Sequence, residues 1–124
     1  MARILVIEDE PVIAQIIRLL LEPHGHDVLI ADDGSRGFAA AQRQAIDLII
    51  LDLMMPVMDG YSALEALRGN ERTAPIPVMV LSARSDAESQ RRCQKFGVDT
   101  YLQKPFASEG LIQAVENLVA SPAP

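Results

Sequence analysis

The sequence predicts an α/β fold, a doubly wound open parallel sheet with helices on both faces. Three observations carry the prediction. Short apolar, β-branched runs alternate with segments of helical period along the whole chain. Several of these runs are apolar on successive residues, as strands covered on both faces are. The 124 residues suffice for one domain with a sizeable core.

The first strand is read at residues 3–7 (RILVI). Pro11 suits a first helical turn. Beyond it Ile13, Ile16, Ile17 and Leu20 form an i, i+3, i+4, i+7 stripe expected to face the core. Pro23 and Gly25 stop that helix. Residues 28–31 (VLIA) form the second and weakest strand, and residues 35–44 an Ala-rich helix. The third strand is residues 46–51 (IDLIIL), and the next helix, residues 61–68, ends at Gly69-Asn70. The fourth strand is residues 77–81 (PVMVL). A polar helix follows at 85–96, with Ser85 as cap, Glu88 at capping-box spacing and Gly97 as its stop. The fifth strand is residues 100–103 (TYLQ), and the last helix, residues 108–119, carries Leu111, Ile112, Val115, Leu118 and Val119. Right-handed crossovers make this order a parallel sheet. Residues 1–119 read as the domain and 120–124 as a tail or the start of a linker.

Composition narrows the function. Apolar residues make up 49% and charged residues 23%, ordinary for a globular protein. The net charge of −6 argues against direct nucleic-acid binding, which needs a basic surface. No apolar run approaches the roughly 20 residues of a membrane span. The start MARILVIEDE does not read as a signal peptide. One cysteine, Cys93, excludes an internal disulfide and agrees with a reducing compartment, so the cytoplasm is the expected location.

Chemistry gathers at the strand ends, where open α/β sheets bind ligands. Glu8 and Asp9 follow the first strand, Asp52 the third, Ser82 the fourth and Lys104-Pro105 the fifth. Singly, each reads as a helix cap, a turn residue or a surface charge. Together they do not. Clustered carboxylates repel, and burying them is costly unless a cation neutralises them. Clustered oxygen ligands suit Mg²⁺. A lysine and a hydroxyl beside such an ion suit a phosphoryl group. An aspartate carboxylate can itself accept that group.

The set Glu8, Asp9, Asp52, Ser82 and Lys104, with DLMMPVMDG and KPF around two of them, resembles the CheY-like receiver domain of two-component response regulators. The resemblance implies a flavodoxin-like (βα)5 fold with strand order 2-1-3-4-5. It implies Mg²⁺-dependent phosphoryl transfer to Asp52 from a phosphohistidine, on a histidine kinase or a histidine phosphotransfer protein. The consequence would be a switch in the face built by the fourth helix, fifth strand and fifth helix. Glu8, Asp9, Asp52 and the backbone carbonyl of Met54 would hold Mg²⁺, with Mn²⁺ the alternative. Asp9 would be the more direct ligand, and the longer Glu8 would act through water. Lys104 would pair with Asp52 and then with the phosphoryl oxygens. Ser82 would be the switch hydroxyl, Tyr101 the aromatic switch, and Lys104-Pro105 a cis bond.

The same resemblance places Met54 and Arg84 beside the phosphoryl group. An apolar and a cationic side chain there imply slower loss to water than in fast-cycling chemotaxis receivers. Val12 and Ile13 are expected to dock the phosphodonor, and Leu19 to be extra core or neutral surface. Residues 106–119 carry no Lys or Arg, which argues against the charged dimer face of winged-helix regulators. Arg91, Arg92 and Lys95 read as a solvated face or part of an output surface. Such a domain is not a turnover enzyme; it catalyses only its own phosphorylation and dephosphorylation. Two alternatives stand beside it. The intact five-residue set argues against a receiver reduced to an interaction module. A phosphatase of the haloacid-dehalogenase type usually has a second acid where Met54 stands. The output partner or effector domain is not named by these residues.

Overall fold

The computed structural model describes residues 2–53, 60–83 and 87–120. The chain runs β1 (Arg3–Ile7), α1 (Pro11–Leu21), β2 (Asp27–Ala31), α2 (Gly34–Arg43), β3 (Leu48–Asp52), α3 (Gly60–Arg68), β4 (Val78–Ser82), α4 (Ala87–Lys95), β5 (Thr100–Gln103) and α5 (Ser108–Ala120). The five strands form one parallel sheet in the order β2-β1-β3-β4-β5. The flavodoxin-like architecture that the resemblance implies is therefore the one observed. Among the described residues, no helix is long and apolar enough to cross a membrane.

Strand alternation explains the successive apolar residues. Leu5 and Ile7, Ile49 and Leu51, and Val78 and Val80 point to the side where Ala41, Leu64, Leu67 and Cys93 of α2, α3 and α4 cover the sheet. Ile4 and Val6, Leu48 and Ile50, and Met79 and Leu81 point to the other side, against Ile17, Leu21, Leu111 and Val115 of α1 and α5. Each of these strand residues is essentially fully buried. A leucine or isoleucine so placed contributes about 1.5–3 kcal/mol relative to exposure.

Boundaries shift in ways that matter. β3 and β4 each run one residue past the apolar run, so Asp52 and Ser82 are themselves the last strand residues. α2 starts at Gly34, and Asp33 caps it by accepting from the Arg36 N–H at 2.7 Å. Gly25 and Gly97 take the positive φ, 88° and 69°, that ends a helical segment. Met54, Pro56, Asp59, Arg84, the expected cap Ser85 and the tail from 121 to 124 lie outside the described residues.

The stripe on α1 is rotated from its expected phase. Ala14, Ile17 and Leu21 are buried, whereas Ile16 is 43% exposed and Leu19 68% exposed. The period marks an amphipathic helix but leaves its phase open. The small side chain of Ala14 faces the sheet, which turns Ile16 outward. Ile16 thereby joins Val12 and Leu19 in an exposed apolar row, and Leu19 is not extra core.

At the far edge of the sheet, Arg68 ends α3 and ties three segments together. Its guanidinium donates to the carbonyls of Phe96 (2.7 Å), Gly97 (2.9 Å), Ala74 (2.9 Å) and Ile76 (2.8 Å).

Candidate functional site

The hydrogen-bond ladder continues past the strands and fixes the residues that follow them. The Glu8 N–H donates to Ala31 O at 3.0 Å, Leu53 N–H to Leu81 O at 3.2 Å and Lys104 N–H to Ser82 O at 2.8 Å. The Lys104-Pro105 bond is cis. α3 enters directly against this edge. A Cβ on Gly60 would stand 2.4 Å from the Leu53 Cα and 2.7 Å from the Asp52 carbonyl oxygen, so only glycine brings the helix so close.

Glu8, Asp9, Asp52 and Lys104 converge here. The Lys104 ammonium lies 3.1 Å from Glu8 Oε1 and 3.3 Å from Asp52 Oδ2. Glu8 and Asp52 are buried and Asp9 is half-buried. The expected pairing of Lys104 with Asp52 is present, but Glu8 shares the lysine at the shorter distance. Burial, and then the neighbouring Asp52, push the Glu8 carboxyl up to about 8, with Lys104 pulling the other way. Burial alone would lower Lys104, but Glu8 and Asp52 outweigh it and its pKa is raised.

This donor set fits a hard divalent cation. One oxygen from each of Glu8, Asp9 and Asp52 lies within 4.8 Å of the others. Glu8 Oε2 and Asp9 Oδ1 are buried with no hydrogen-bond partner among the described residues. With all groups ionised, three carboxylates against one ammonium leave two negative charges, which one such ion cancels.

The other predicted residues that the structure describes have defined places in the fold. Ser82, fully buried, ends β4 opposite Gln103 of β5. Tyr101 is half-buried and packs on the core side covered by α2, α3 and α4. In the strand alternation Ser82 has the parity of Val78 and Val80, so it shares that side with Tyr101. Val12 is 71% exposed and Ile13 half-buried, on the first turn of the helix that follows Glu8 and Asp9. Met54 and Arg84 are outside the described residues.

Sequence reasoning missed one further pair, a buried histidine and a half-exposed glutamate. The His26 ring accepts from the Ala2 N–H at 3.3 Å and meets Glu116 Oε1 at 2.8 Å, joining the far edge of the sheet to α5. The two partners are 90 residues apart, so no local pattern signals them.

Known proteins are similar to this chain in sequence and fold. The family model described as "Response regulator receiver domain" matches residues 4–116. The DNA-binding dual master transcriptional regulator RpaA of Synechocystis sp. is 42% identical over 119 residues, 96% of this chain but only 49% of that protein. Protein PilH of Pseudomonas aeruginosa is 32% identical over 97% of this chain and 99% of its own length. The chain thus spans about half of one relative and nearly the whole of another. Among solved structures, the receiver domain of the sensor histidine kinase PA1611 from Pseudomonas aeruginosa superposes with a TM-score of 0.88. It is 32% identical, with 97% of this chain and 98% of that one covered, and holds a magnesium ion coordinated in its active-site cleft.

Proposed function

The chain belongs to the response regulator receiver domain family, and on that premise we propose that it is a phosphoryl-operated switch with Asp52 as the acceptor. The observation that supports this most is the shared lysine. One ammonium bridges two buried carboxylates, and two further carboxylate oxygens beside them have no hydrogen-bond partner among the described residues.

In this reading a carboxylate oxygen of Asp52 attacks the phosphorus of a phosphohistidine. The P–O bond forms as the P–N bond breaks, and the imidazole leaves with its electron pair. Glu8, Asp9, Asp52 and the Met54 carbonyl would hold Mg²⁺, or Mn²⁺ in its place, which when bound screens the charge on the transferred group. Lys104 then turns from Glu8 and Asp52 to a phosphoryl oxygen, its charge retained throughout. The Ser82 hydroxyl donates to another oxygen, and Tyr101, on the same side of the sheet, follows that movement inward. The chain's own catalysis is limited to gaining and losing this group.

The phosphodonor is a histidine kinase or histidine phosphotransfer protein. We assign its docking surface to Val12 and Ile13, extended by Ile16 and Leu19 along the exposed row of α1. The same reading has the chain act in the cytoplasm, in keeping with its single buried cysteine. Whatever receives the signal, an effector domain or a separate partner, meets the face of α4, β5 and α5.

Intact-mass measurement after incubation with acetyl phosphate and Mg²⁺ tests the acceptor. The wild type should gain one phosphoryl group and Asp52→Asn none. An equal gain in both, or no gain by the wild type with several small donors, overturns the proposal.

A further inference from the structure

We propose that the stack of Arg92 on Tyr61 is a latch holding α4 against α3, and that its release is coupled to phosphoryl occupancy at Asp52; the coupling rests on the acceptor reading above. α4 is thinly attached. Of its nine residues it buries Ser89 and Cys93, both small, whereas α3 buries Gly60, Tyr61, Ala63, Leu64 and Leu67. Little apolar area leaves water when α4 docks, so the helix belongs to the weakly held part of the fold.

The restraints on α4 gather at its C-terminal side. Beyond its C-terminus, Phe96 and Val98 pack on the core, and Arg68 clamps the carbonyls of Phe96 and Gly97. Within the last turn of the helix itself, the Arg92 guanidinium lies 3.6 Å from the centre of the Tyr61 ring, well inside cation–π range. For a helix with so little buried, that contact is a large share of what restrains it. The clamp is a pivot and the stack is a catch.

The catch is opposed from within. The Tyr61 ring is buried, and its hydroxyl has no hydrogen-bond partner among the described residues. A buried hydroxyl left unpaired disfavours the arrangement that buries it. A modest outward swing of α4 relieves this while losing the stack. Two opposed contributions are what a two-position element requires.

The latch also touches the acceptor through backbone. Tyr61 directly follows Gly60, whose N–H donates to Leu53 O at 2.9 Å and whose Cα leaves no room for a methyl against the Asp52 carbonyl. From the other side, α4 begins five residues after Ser82, which ends β4. A change at Asp52 therefore reaches Tyr61 through the packed contact of Gly60 with Asp52 and Leu53, and a change at Ser82 lies close in sequence to α4. Arg92 thus has a role distinct from Arg91 and Lys95, its exposed neighbours on α4.

The test uses the full chain with Arg92→Gln and Tyr61→Phe. Hydrogen exchange of the α4 amides reads the latch, and affinity for beryllofluoride with Mg²⁺, a phosphoryl analogue, reads the coupling. Arg92→Gln should speed α4 exchange about two- to fivefold, the range of an exposed cation–π contact, and tighten beryllofluoride binding by a similar factor. Tyr61→Phe keeps the ring and removes the unpaired hydroxyl, so it should shift both readouts the opposite way. Unchanged α4 exchange in Arg92→Gln overturns the latch. Faster exchange with unchanged affinity overturns the coupling and leaves a structural contact. A wild type that binds no beryllofluoride overturns the acceptor reading and the coupling with it, while the exchange data still decide the latch.

Discussion

Loading the acidic cluster with Mg²⁺ should expel close to one proton per ion at pH 7. Glu8 is pushed up to about 8 by burial and then by Asp52. A carboxyl with that value is protonated in roughly nine molecules of ten at pH 7. A cation seated among Glu8, Asp9 and Asp52 demands the ionised form, so binding releases the proton. Roughly 0.9 protons should leave per ion at pH 7, and roughly half a proton at pH 8. The apparent affinity should correspondingly rise roughly fiftyfold between pH 6 and pH 8, then level off. Titration calorimetry in two buffers of different ionisation heat measures the protons directly. Glu8→Gln should abolish most of the release and flatten the pH dependence. The same shift bears on stability. The folded value of Glu8 lies above its ordinary 4.5, so its contribution is full below about 4.5 and is lost as the pH rises toward 8. The metal-free chain should weaken across that window by on the order of a few kcal/mol, and Mg²⁺ should restore it. A pH-independent affinity with no proton release would refute the reasoning.

Other consequences are equally accessible. Gly60→Ala forces a methyl into the backbone of Asp52 and Leu53; it should cost about 2–4 kcal/mol in urea unfolding and slow phosphorylation. Arg68→Ala leaves the carbonyls of Ala74, Ile76, Phe96 and Gly97 without their shared donor; it should cost a similar amount, about 2–4 kcal/mol, yet leave phosphorylation by acetyl phosphate intact. Ile16→Asp on the exposed row of α1 should leave stability within about 1 kcal/mol, and should impair transfer from a phosphorylated kinase while sparing small donors. Exchanging Met54 for Asn and Arg84 for Glu together should shorten the phosphoryl lifetime, read by the decay of labelled protein; an unchanged lifetime removes their assigned role.

The residues that gather at the sheet edge were legible because each is a local event. A strand that runs out is visible in one stretch of chain, and the βαβ order brings such ends to one edge. Glu8, Asp9, Asp52, Ser82 and Lys104 could therefore be named from where apolar runs stop. Their partition of charge could not. That Lys104 sits nearer Glu8 than Asp52, and that Asp52 adds to burial in pushing the Glu8 carboxyl up, depends on approaches of about 3 Å between side chains far apart in sequence.

The sequence by itself determined the alternation of strands and helices, the two-faced burial of the sheet and the residues that meet at its edge. These follow from hydrophobic period and punctuation, which act over a few residues. Only the tertiary structure decided the phase of α1, which exposes Ile16 because Ala14 faces the sheet, and the union of His26 with Glu116. It alone decided that Arg68 clamps one end of α4 while Arg92 rests on Tyr61. Period says that a helix has an inner face, but side-chain volumes on the opposing surface choose which residues occupy it. Long polar side chains then find whichever partners that choice leaves within reach.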